Sequence, residues 1–350
     1  MQALISQVYQ NIKQNQLIIQ NDRVILGLSG GPDSVFLFHA LKKIANKIGF
    51  VFQAAHVNYN LRAQASITDQ KFCQKLCQNN QIDLWLLNVN PKHHPSTGIE
   101  NWARQLRYDF FQRLTINQPP KTAKFFCNTQ KTTDLSKDKP RIALAHTQND
   151  QTETIMFNFI RGSGLMGLQG MSFNTIIKSI FLIRPLLNIP KNQIIDYLQE
   201  NQHQYQIDFS NFDLKYSRNL LRQTIIPKLK KRLNPNLDQT ISRNARVIKS
   251  CQRYLEEKAK KNLTKASQQK KHRLILNHDF FKQKPLIIQT ILLRQCVKKT
   301  RGHLLNLSQA VIFDLLNYLN NPAKKKPFQS IKNLLIFKKN GTIVFQKTPK

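Results

Sequence analysis

The chain has 350 residues, of which 54 are Lys or Arg and 19 are Asp or Glu, so its formal net charge is +35 at pH 7. It holds no run of 18 apolar residues, no leader with a small-residue cleavage site, and five scattered cysteines without a C-x-x-C pair. These features exclude a membrane-spanning helix, a disulfide framework and a structural zinc site, and predict a cytoplasmic protein. So large a positive charge favours a nucleic-acid partner, with an acidic membrane surface as the weaker alternative, and no membrane partner is expected.

The first 215 residues alternate short apolar runs with amphipathic stretches. Strand-like runs cover 23–28, 51–57, 83–89, 141–145 and 180–183, and helical periodicity covers 33–48, 66–80, 98–116, 150–161 and 190–202. Strands that alternate with helices predict an α/β fold with a doubly wound, Rossmann-like parallel sheet. Such a sheet binds ligands beyond the carboxyl ends of its strands.

Residues 117–140 interrupt this alternation, because they are polar and contain three prolines. They predict an exposed, disordered insertion that carries no chemistry. Phe125 and Phe126 are its residues best suited to dock on the domain.

Residues 216–350 predict a basic, mainly helical region. Helical periodicity covers 217–265 and 284–320, a strand is expected at 273–277, and a hairpin at the end turns at Asn340 and Gly341. The region has 31 basic and 5 acidic residues, a net charge of +26, against +9 for residues 1–215. We therefore expect a domain boundary after Lys215. Compositional drift toward lysine is the alternative, but it does not explain why acidic residues are scarce in one part only.

A glycine-rich turn joins the first predicted strand to the first helix and reads Ser29-Gly30-Gly31-Pro32-Asp33-Ser34. Adjacent glycines let the backbone approach an anion, the helix N-terminus supplies N–H groups, and the serines add hydroxyl donors. The turn lacks both the Walker A lysine and the G-x-G-x-x-G spacing, so it predicts another kind of nucleotide phosphate site. A plain capping turn, with Asp33 complementing the helix dipole, is the alternative.

Seven further segments follow this loop in order. They read AHVNYNLR at 55–62, ENWARQLRY at 100–108, AHTQNDQTET at 145–154, RGSGLMGL at 161–168, RPLL at 184–187, DFSN at 208–211 and YSRNLLR at 216–222. With the S-G-G-x-D-S loop, the series resembles the tRNA(Ile)-lysidine synthases, a family of the N-type ATP pyrophosphatase or PP-loop superfamily. The resemblance covers about residues 20–230.

This resemblance implies an enzyme that uses ATP and Mg²⁺ to adenylate the C2 oxygen of the wobble cytidine in a tRNA(Ile) with a CAU anticodon. The amine of free L-lysine then displaces AMP, so the products are lysidine, AMP and pyrophosphate. Residues 1–215 would form the PP-loop ATP-binding catalytic domain, and residues 216–350 the tRNA-binding region.

Three positions depart from the family pattern. Tyr59 and Asn60 stand where the family usually has His-Gly, and Thr147 stands where it has a second histidine. Asn is the residue best able to replace a glycine with positive φ. Thr147 leaves His146 as the single imidazole of its segment.

The resemblance assigns ATP binding to the loop residues Ser29, Gly30, Gly31, Pro32, Asp33 and Ser34. His56 is a further candidate for ATP binding because it ends a strand at the edge where the nucleotide is expected. Asp33 would also hold Mg²⁺ as a catalytic residue. Arg104 would be catalytic by stabilising charge near the α-phosphate. The structural alternatives are helix capping for Asp33, a structural histidine for His56, and a solvated i,i+4 pair with Glu100 for Arg104.

Asp150 and Glu153 are spaced i and i+3, hence on one helix face. Paired carboxylates suit binding the ammonium of lysine and accepting its proton, which makes Asp150 a further catalytic candidate. A capping pattern is the alternative.

Arg161, Arg218 and Arg222 are the predicted tRNA-binding residues. Arg161 opens the Arg-Gly-Ser-Gly segment, and the other two are spaced i and i+4 on the first helix of the basic region. Their alternative is a solvated face.

Two other functions fit part of this pattern. One is a PP-loop tRNA 2-thiolation enzyme, which needs reactive cysteines, although no cysteine lies within a matched segment. The other is a non-catalytic basic RNA-binding protein, although Ser29, Asp33, Arg104 and Asp150 are all retained. The sequence predicts no oligomeric state.

Overall fold

The computed structural model describes residues 2–62, 64–95, 97–127, 140–207, 217–270, 273–304, 307–321, 323 and 326–348. The chain divides into two compact units. The first, here called the sheet unit, comprises Met1–Thr154 and Met171–Ser242, and the second, the basic unit, comprises Ile155–Gly170 and Arg243–Lys350. The division therefore falls later than the boundary expected after Lys215, because residues 217–242 cluster with the sheet unit.

The sheet unit contains nearly all the elements expected before residue 215, with ends shifted by a few residues. In chain order they are α1 (Gln2–Gln14), β1 (Arg23–Gly27), α2 (Pro32–Ile48), β2 (Val51–Asn58), α3 (Gln64–Asn79), β3 (Leu84–Asn88), α4 (Ile99–Thr115), β4 (Ala123–Phe126), β5 (Arg141–Ala143) and α5 (Gln148–Ile160). The part of α5 from Ile155 onward clusters with the basic unit. After α6 (Gly164–Leu168), which belongs to the basic unit, come β6 (Asn174–Ile177), β7 (Ile180–Ile183) and α7 (Lys191–Glu200). The helices α8 (Ser217–Leu220) and α9 (Ile226–Arg232) flank a π-helical turn at Leu221–Ile225.

The seven strands form one sheet in the order β4-β3-β2-β1-β5-β7-β6. The five inner strands are mutually parallel, and the two edge strands run antiparallel to their neighbours. The chain moves outward from β1 through β2 to β3 and then returns to β5 on the other side of β1. The sheet thus has its switch point between β1 and β5, where doubly wound folds bind their ligands.

Both faces of this sheet are buried, which explains the apolar strand sequences. Val24 and Leu26 of β1 join the larger core with α1, α2 and α7, while Ile25 joins a second core with the aromatic residues of α4. Alternate side chains of a strand point to opposite faces, so a strand covered on both sides needs apolar residues throughout.

The insertion is ordered at its start, where Phe125 and Phe126 dock as expected. Residues Ala123–Phe126 form β4, which pairs with β3, and the Phe125 ring lies 4.5 Å from that of Trp85. Two consecutive phenylalanines outweigh the polar neighbourhood because the exposed edge of β3 offers unpaired backbone groups and an aromatic partner. Residues 128–139 of the insertion lie outside the described residues.

The basic unit combines helices with a second sheet. It contains most of α10 (Leu237–Ala266), then β8 (Ser267–Lys270), β9 (Arg273–Asn277), α11 (His278–Lys282), α12 (Leu286–Arg301), α13 (Gln309–Asn320), β10 (Leu334–Lys339) and β11 (Thr342–Lys347). The strands form an antiparallel sheet in the order β10-β11-β9-β8. Its core includes Phe281, Leu292, Ile312 and Phe345. The hairpin is confirmed, with positive φ at Asn340 and Gly341.

None of the described helices has the length and apolar character needed to cross a membrane.

Candidate active site

The glycine-rich turn lies at the switch point, between β1 and α2. Gly30 has φ +89°, and an added Cβ would lie 3.3 Å from the Cys73 sulfur, so the position requires glycine for both conformation and space. The Ser34 hydroxyl donates to the Gly31 carbonyl at 2.9 Å and accepts from the Ser29 N–H at 3.2 Å. The backbone N–H of Gln206 donates to the Gly30 carbonyl at 2.9 Å, which ties a segment after α7 to the loop. The loop is thus held open in the form that an anion needs.

Asp33 stands in the first turn of α2 with one carboxylate oxygen unsatisfied. Its Oδ2 lies 3.4 Å from the Lys191 ammonium, whereas its buried Oδ1 has no hydrogen-bond partner. Burial raises the pKa of Asp33 to about 6; Lys191 opposes this shift, and the nearby charge of Asp150 adds to it. An orphaned carboxylate oxygen beside a phosphate loop fits Mg²⁺, which commonly takes one or two protein carboxylates together with phosphate oxygens. No cluster of three or more His, Cys, Asp or Glu that could hold a metal ion occurs among the described residues.

A cavity of about 500 Å³ opens beside the loop, with a size suited to a nucleoside. Its lining combines the ends of β1 and β2 with one face of α4, and includes Ser29, His56, Tyr59, Glu100 and Arg107. The Nδ1–H of His56 donates to the Leu28 carbonyl at 2.8 Å, because a carbonyl can only accept. Burial lowers the pKa of His56, so the ring is neutral and its Nε2 is an acceptor. The structure therefore brings His56 and the loop together.

Asp150 and Glu153 do share one face of α5, and both are paired. Arg222 donates two hydrogen bonds to the Glu153 carboxylate, from Nε at 2.6 Å and from Nη2 at 2.8 Å. Its Nη2 also donates to Asp150 Oδ1 at 3.1 Å. Burial raises the pKa of Glu153, and the Arg222 guanidinium opposes that shift. Arg222 is thus directed toward the acidic pair, and this arrangement differs from the solvated RNA-facing side chain expected from its sequence position.

Thr147 immediately precedes α5, and its N–H and hydroxyl hold the second carboxylate oxygen of Asp150. The Thr147 N–H and hydroxyl both donate to Asp150 Oδ2, at 2.8 and 3.0 Å. These contacts form a cap at the N-terminus of α5, which is the alternative role that the sequence allowed for Asp150. The departure at position 147 therefore replaces an imidazole with a cap that fixes the Asp150 carboxylate.

His146 is half-buried just before this cap and has a guanidinium partner. Arg184 Nε donates to His146 Nδ1 at 3.2 Å. Burial lowers the pKa of His146 to about 4, and the positive charges of Arg184, Arg107 and Arg104 act in the same direction. The imidazole is neutral at pH 7 and orients Arg184 at the carboxyl edge of the sheet.

The remaining predicted residues lie on surfaces. Arg104 is exposed on α4, with its guanidinium 5.0 Å from the Tyr108 ring, and Arg107 lines the cavity instead. Arg218 is exposed on α8. Arg161 is exposed with its guanidinium 4.3 Å from the Phe157 ring, and belongs to the basic unit. Residues 208–211 and Tyr216, which belong to two matched segments, lie outside the described residues.

The departures at 59 and 60 are accommodated locally. Asn60 has φ +54°, as expected for a residue that replaces glycine, and its side-chain amide donates to the Val89 carbonyl at 2.5 Å. Tyr59 packs beside Trp102 and donates its hydroxyl hydrogen to the Ala103 carbonyl at 3.2 Å. Together they join the ends of β2 and β3 to α4 at the rim of the cavity.

Sequence reasoning missed three charged residues of this edge as site residues: Lys191, Arg184 and Arg107. Arg184 belongs to one of the segments that carry the family resemblance, but the resemblance assigned it no role. Lys191 follows Pro190 at the start of α7, a pattern that predicts a helix start and nothing about the distant loop.

The chain is similar to known proteins in sequence and in fold. A family model described as the PP-loop domain matches residues 2–137 and 124–229. The tRNA(Ile)-lysidine synthase of Clostridioides difficile (strain 630) is 29% identical over 348 residues, which cover 97% of this chain and 70% of that protein. The protein of the same name from Chlorobaculum tepidum is 32% identical over 67% of this chain and 65% of its own length. Against other curated relatives of this name, the chain spans as little as 49% of their length.

A solved structure shares the fold. The U34-tRNA thiolase NcsA from Methanococcus maripaludis, with its 4Fe-4S cluster, aligns with a TM-score of 0.54 at 18% identity, covering 70% of this chain and 78% of that one.

Proposed function

This chain belongs to the PP-loop domain family, and from that premise we propose that it joins L-lysine to C2 of the wobble cytidine in a tRNA(Ile) with a CAU anticodon. The chain is an ATP-dependent tRNA-modifying enzyme by its family and its relatives. The proposed products are lysidine, AMP and pyrophosphate, and the proposed compartment is the cytoplasm, where tRNA, ATP and lysine occur together.

One observation carries the proposal. The phosphate loop with Asp33 and the acidic pair on α5 stand at the same edge of the sheet, after β1 and after β5. The strands β1 and β5 are adjacent and parallel, and the charges of Asp150 and Arg222 both act on the Asp33 carboxylate. A site that can activate the cytidine with ATP thus adjoins a site that can bind the ammonium of lysine, as a two-step ligation requires.

In the first step the C2 oxygen of cytidine attacks the α-phosphorus of ATP. The bond from that phosphorus to the bridging oxygen breaks, and pyrophosphate leaves with the electron pair. The loop N–H groups and serine hydroxyls bind the phosphates, and Asp33 Oδ1 is available to a magnesium ion, which would offset their charge. Arg107, in the cavity wall, and Arg104, on the same helix, are the cations of α4 placed to stabilise the α-phosphate.

In the second step the neutral amine of lysine attacks C2, and AMP departs with the former C2 oxygen. The amine must lose a proton, and Glu153 and Asp150 are the adjacent acceptors. Arg222 occupies this pair in the structure, so a lysine ammonium must take over its hydrogen bonds. The displaced guanidinium is then available to an anion, either the lysine carboxylate or an RNA phosphate.

A tRNA 2-thiolation activity is the alternative that the shared fold brings forward, and the three buried cysteines oppose it. Cys73, Cys77 and Cys296 are buried, and burial raises the pKa of each thiol. Cys73 packs beneath Gly30 as a protonated core residue, which is unsuited to sulfur transfer.

A reconstituted reaction tests the proposed function. Purified protein, ATP, Mg²⁺ and radiolabelled lysine are incubated with CAU-anticodon tRNA(Ile), with initiator methionine tRNA as the matched control because it carries the same anticodon. We expect label in the isoleucine tRNA alone. Label in neither tRNA, with labelled sulfur incorporated instead, would favour thiolation.

A second experiment separates the two substrates. Glu153→Gln should raise the KM for lysine about 10- to 100-fold and change the KM for ATP by less than about threefold, because a charge-assisted contact to the amine is lost. Equal changes in both values would mean that Glu153 serves ATP or the fold.

A further inference from the structure

The phosphate loop supplies only neutral donors of its own. Its backbone N–H groups and the hydroxyls of Ser29 and Ser34 can bind oxygens, but no lysine stands within the loop, as it does in Walker A sequences. A triphosphate carries more negative charge than one magnesium ion neutralises. A cation from elsewhere in the fold is therefore needed beside the loop.

Lys191 meets this need from a distant part of the sequence. Its ammonium lies 3.4 Å from Asp33 Oδ2, and Asp33 follows the two glycines of the loop in sequence. About two fifths of the side chain is exposed, so the ammonium is open to a ligand. Lysine is a compact point charge on a flexible stem and a common phosphate ligand.

Two sets of contacts fix the position of Lys191. Its backbone N–H donates to Asn149 Oδ1 at 2.9 Å, which ties the start of α7 to the start of α5. Farther along, α7 packs against α2 through the edge-on contact of Phe36 and Tyr197, whose ring centroids are 5.0 Å apart. Because α2 begins at the phosphate loop, this packing holds Lys191 in register with the loop.

We propose that Lys191 is the phosphate-binding lysine of this enzyme. In the free protein it pairs with Asp33, and this partly exposed pair is weak enough to exchange. When magnesium and ATP bind, the ammonium passes from Asp33 to the β- and γ-phosphate oxygens. It then stabilises the charge that collects on pyrophosphate as the α-phosphorus to bridging-oxygen bond breaks.

This inference rests on the proposed use of ATP, so its test measures binding of three ligands separately. The affinities of ATP, pyrophosphate and AMP are determined by calorimetry for the wild type, Lys191→Met and Lys191→Arg. Lys43→Met is the matched control, since Lys43 also lies between α2 and α7, where its ammonium donates to the Tyr197 hydroxyl at 2.9 Å. It removes the same charge from the same helix interface.

We expect Lys191→Met to weaken ATP and pyrophosphate binding about 10- to 100-fold and to leave AMP binding within about twofold, because AMP lacks the phosphates concerned. Lys191→Arg should recover part of the loss, and Lys43→Met should change none of the three affinities. Equal loss of all three ligands in Lys191→Met, or no loss of ATP and pyrophosphate, would overturn the role of Lys191. A wild type that binds neither ATP nor AMP would instead overturn the proposed function.

Discussion

The two units of this molecule use charge in opposite ways. The sheet unit has 28 basic and 15 acidic residues in 226, whereas the basic unit has 26 basic and 4 acidic residues in 124. In the sheet unit, described cations pair with partly buried carboxylates, as Arg222 does with Glu153 and Lys191 with Asp33. The Arg253–Glu257 pair of the basic unit is highly exposed.

This difference suits the sheet unit to catalysis and the basic unit to the electrostatic attraction of a polyanion. Paired, half-buried charges have shifted pKa values and fixed directions, which suits catalysis. Solvated like charges produce a field that draws in a polyanion without selecting among its sequences. We therefore expect substitutions in the sheet unit to change reaction steps and substitutions in the basic unit to change tRNA affinity and its dependence on salt.

The largest effect is expected from Asp33→Asn. Removal of the carboxylate that faces the phosphates should lower AMP formation about 1,000-fold or more, while tRNA affinity stays within about twofold. Rapid-quench assays of AMP and filter binding of tRNA measure the two quantities. Asp196→Asn, at an exposed carboxylate of α7, is the control and should behave as wild type. Undiminished AMP release would remove Asp33 from the metal role.

The basic unit can be tested on the outward face of α10. Arg246, Lys261 and Lys265 are exposed there, and their combined replacement by Gln should weaken tRNA binding about 10-fold. The slope of log affinity against log salt should fall by about 2 to 3, with ATP affinity unchanged. The matched control replaces the exposed Lys71, Lys75 and Lys92 of the sheet unit. Equal losses in the two triple variants would mean that the charge of the basic unit is compositional drift.

The next largest effect is expected in the pH dependence of ligand binding at Asp33 in the sheet unit. Because burial raises the pKa of Asp33 to about 6, the carboxylate that metal binding needs is lost as the pH falls through about 6. Affinity for magnesium and ATP should drop about 10-fold between pH 7 and pH 5. Asp33→Asn should abolish this dependence. A pH profile of ATP affinity that is flat in the wild type would contradict the assignment.

The same shift has a stability consequence of opposite sign. An acid whose pKa is raised by folding holds its proton better in the native state, so stability falls as the pH rises from about 4 to 6. At pH 7 the ionised Asp33 costs about 3 kcal/mol of stability, and Asp33→Asn should therefore raise the melting temperature.

The smallest effect is expected at Thr147. Loss of its hydroxyl in Thr147→Ala removes half of the cap on α5 and should cost about 1 kcal/mol of unfolding free energy, while Thr147→Ser keeps the cap. Denaturant unfolding measures the difference, and tRNA affinity should not change. If Ser and Ala at this position destabilise the protein equally, the methyl packing of Thr147 matters and the hydroxyl does not.

Local signals in the sequence determined the framework of the fold. Apolar runs such as 180–183 became the buried strands, because a strand covered on both faces can carry few polar residues. Asn340-Gly341 set the last hairpin, since both residues accept positive φ. The phosphate loop could also be predicted from the sequence, because its chemistry depends on residues that are adjacent in the chain.

Tertiary structure decided how distant charges meet. The alternation of apolar and polar residues in the sequence could not show that Arg222 would pair with Glu153, 69 residues away, or that Lys191 would lie beside Asp33. Nor could it show that residues 217–242 join the sheet unit or that Phe125 and Phe126 add an edge strand. Periodicity reports which side of an element is buried, whereas the partner of a charged side chain depends on how helices are placed around the sheet. That placement is fixed by the packing of the whole core.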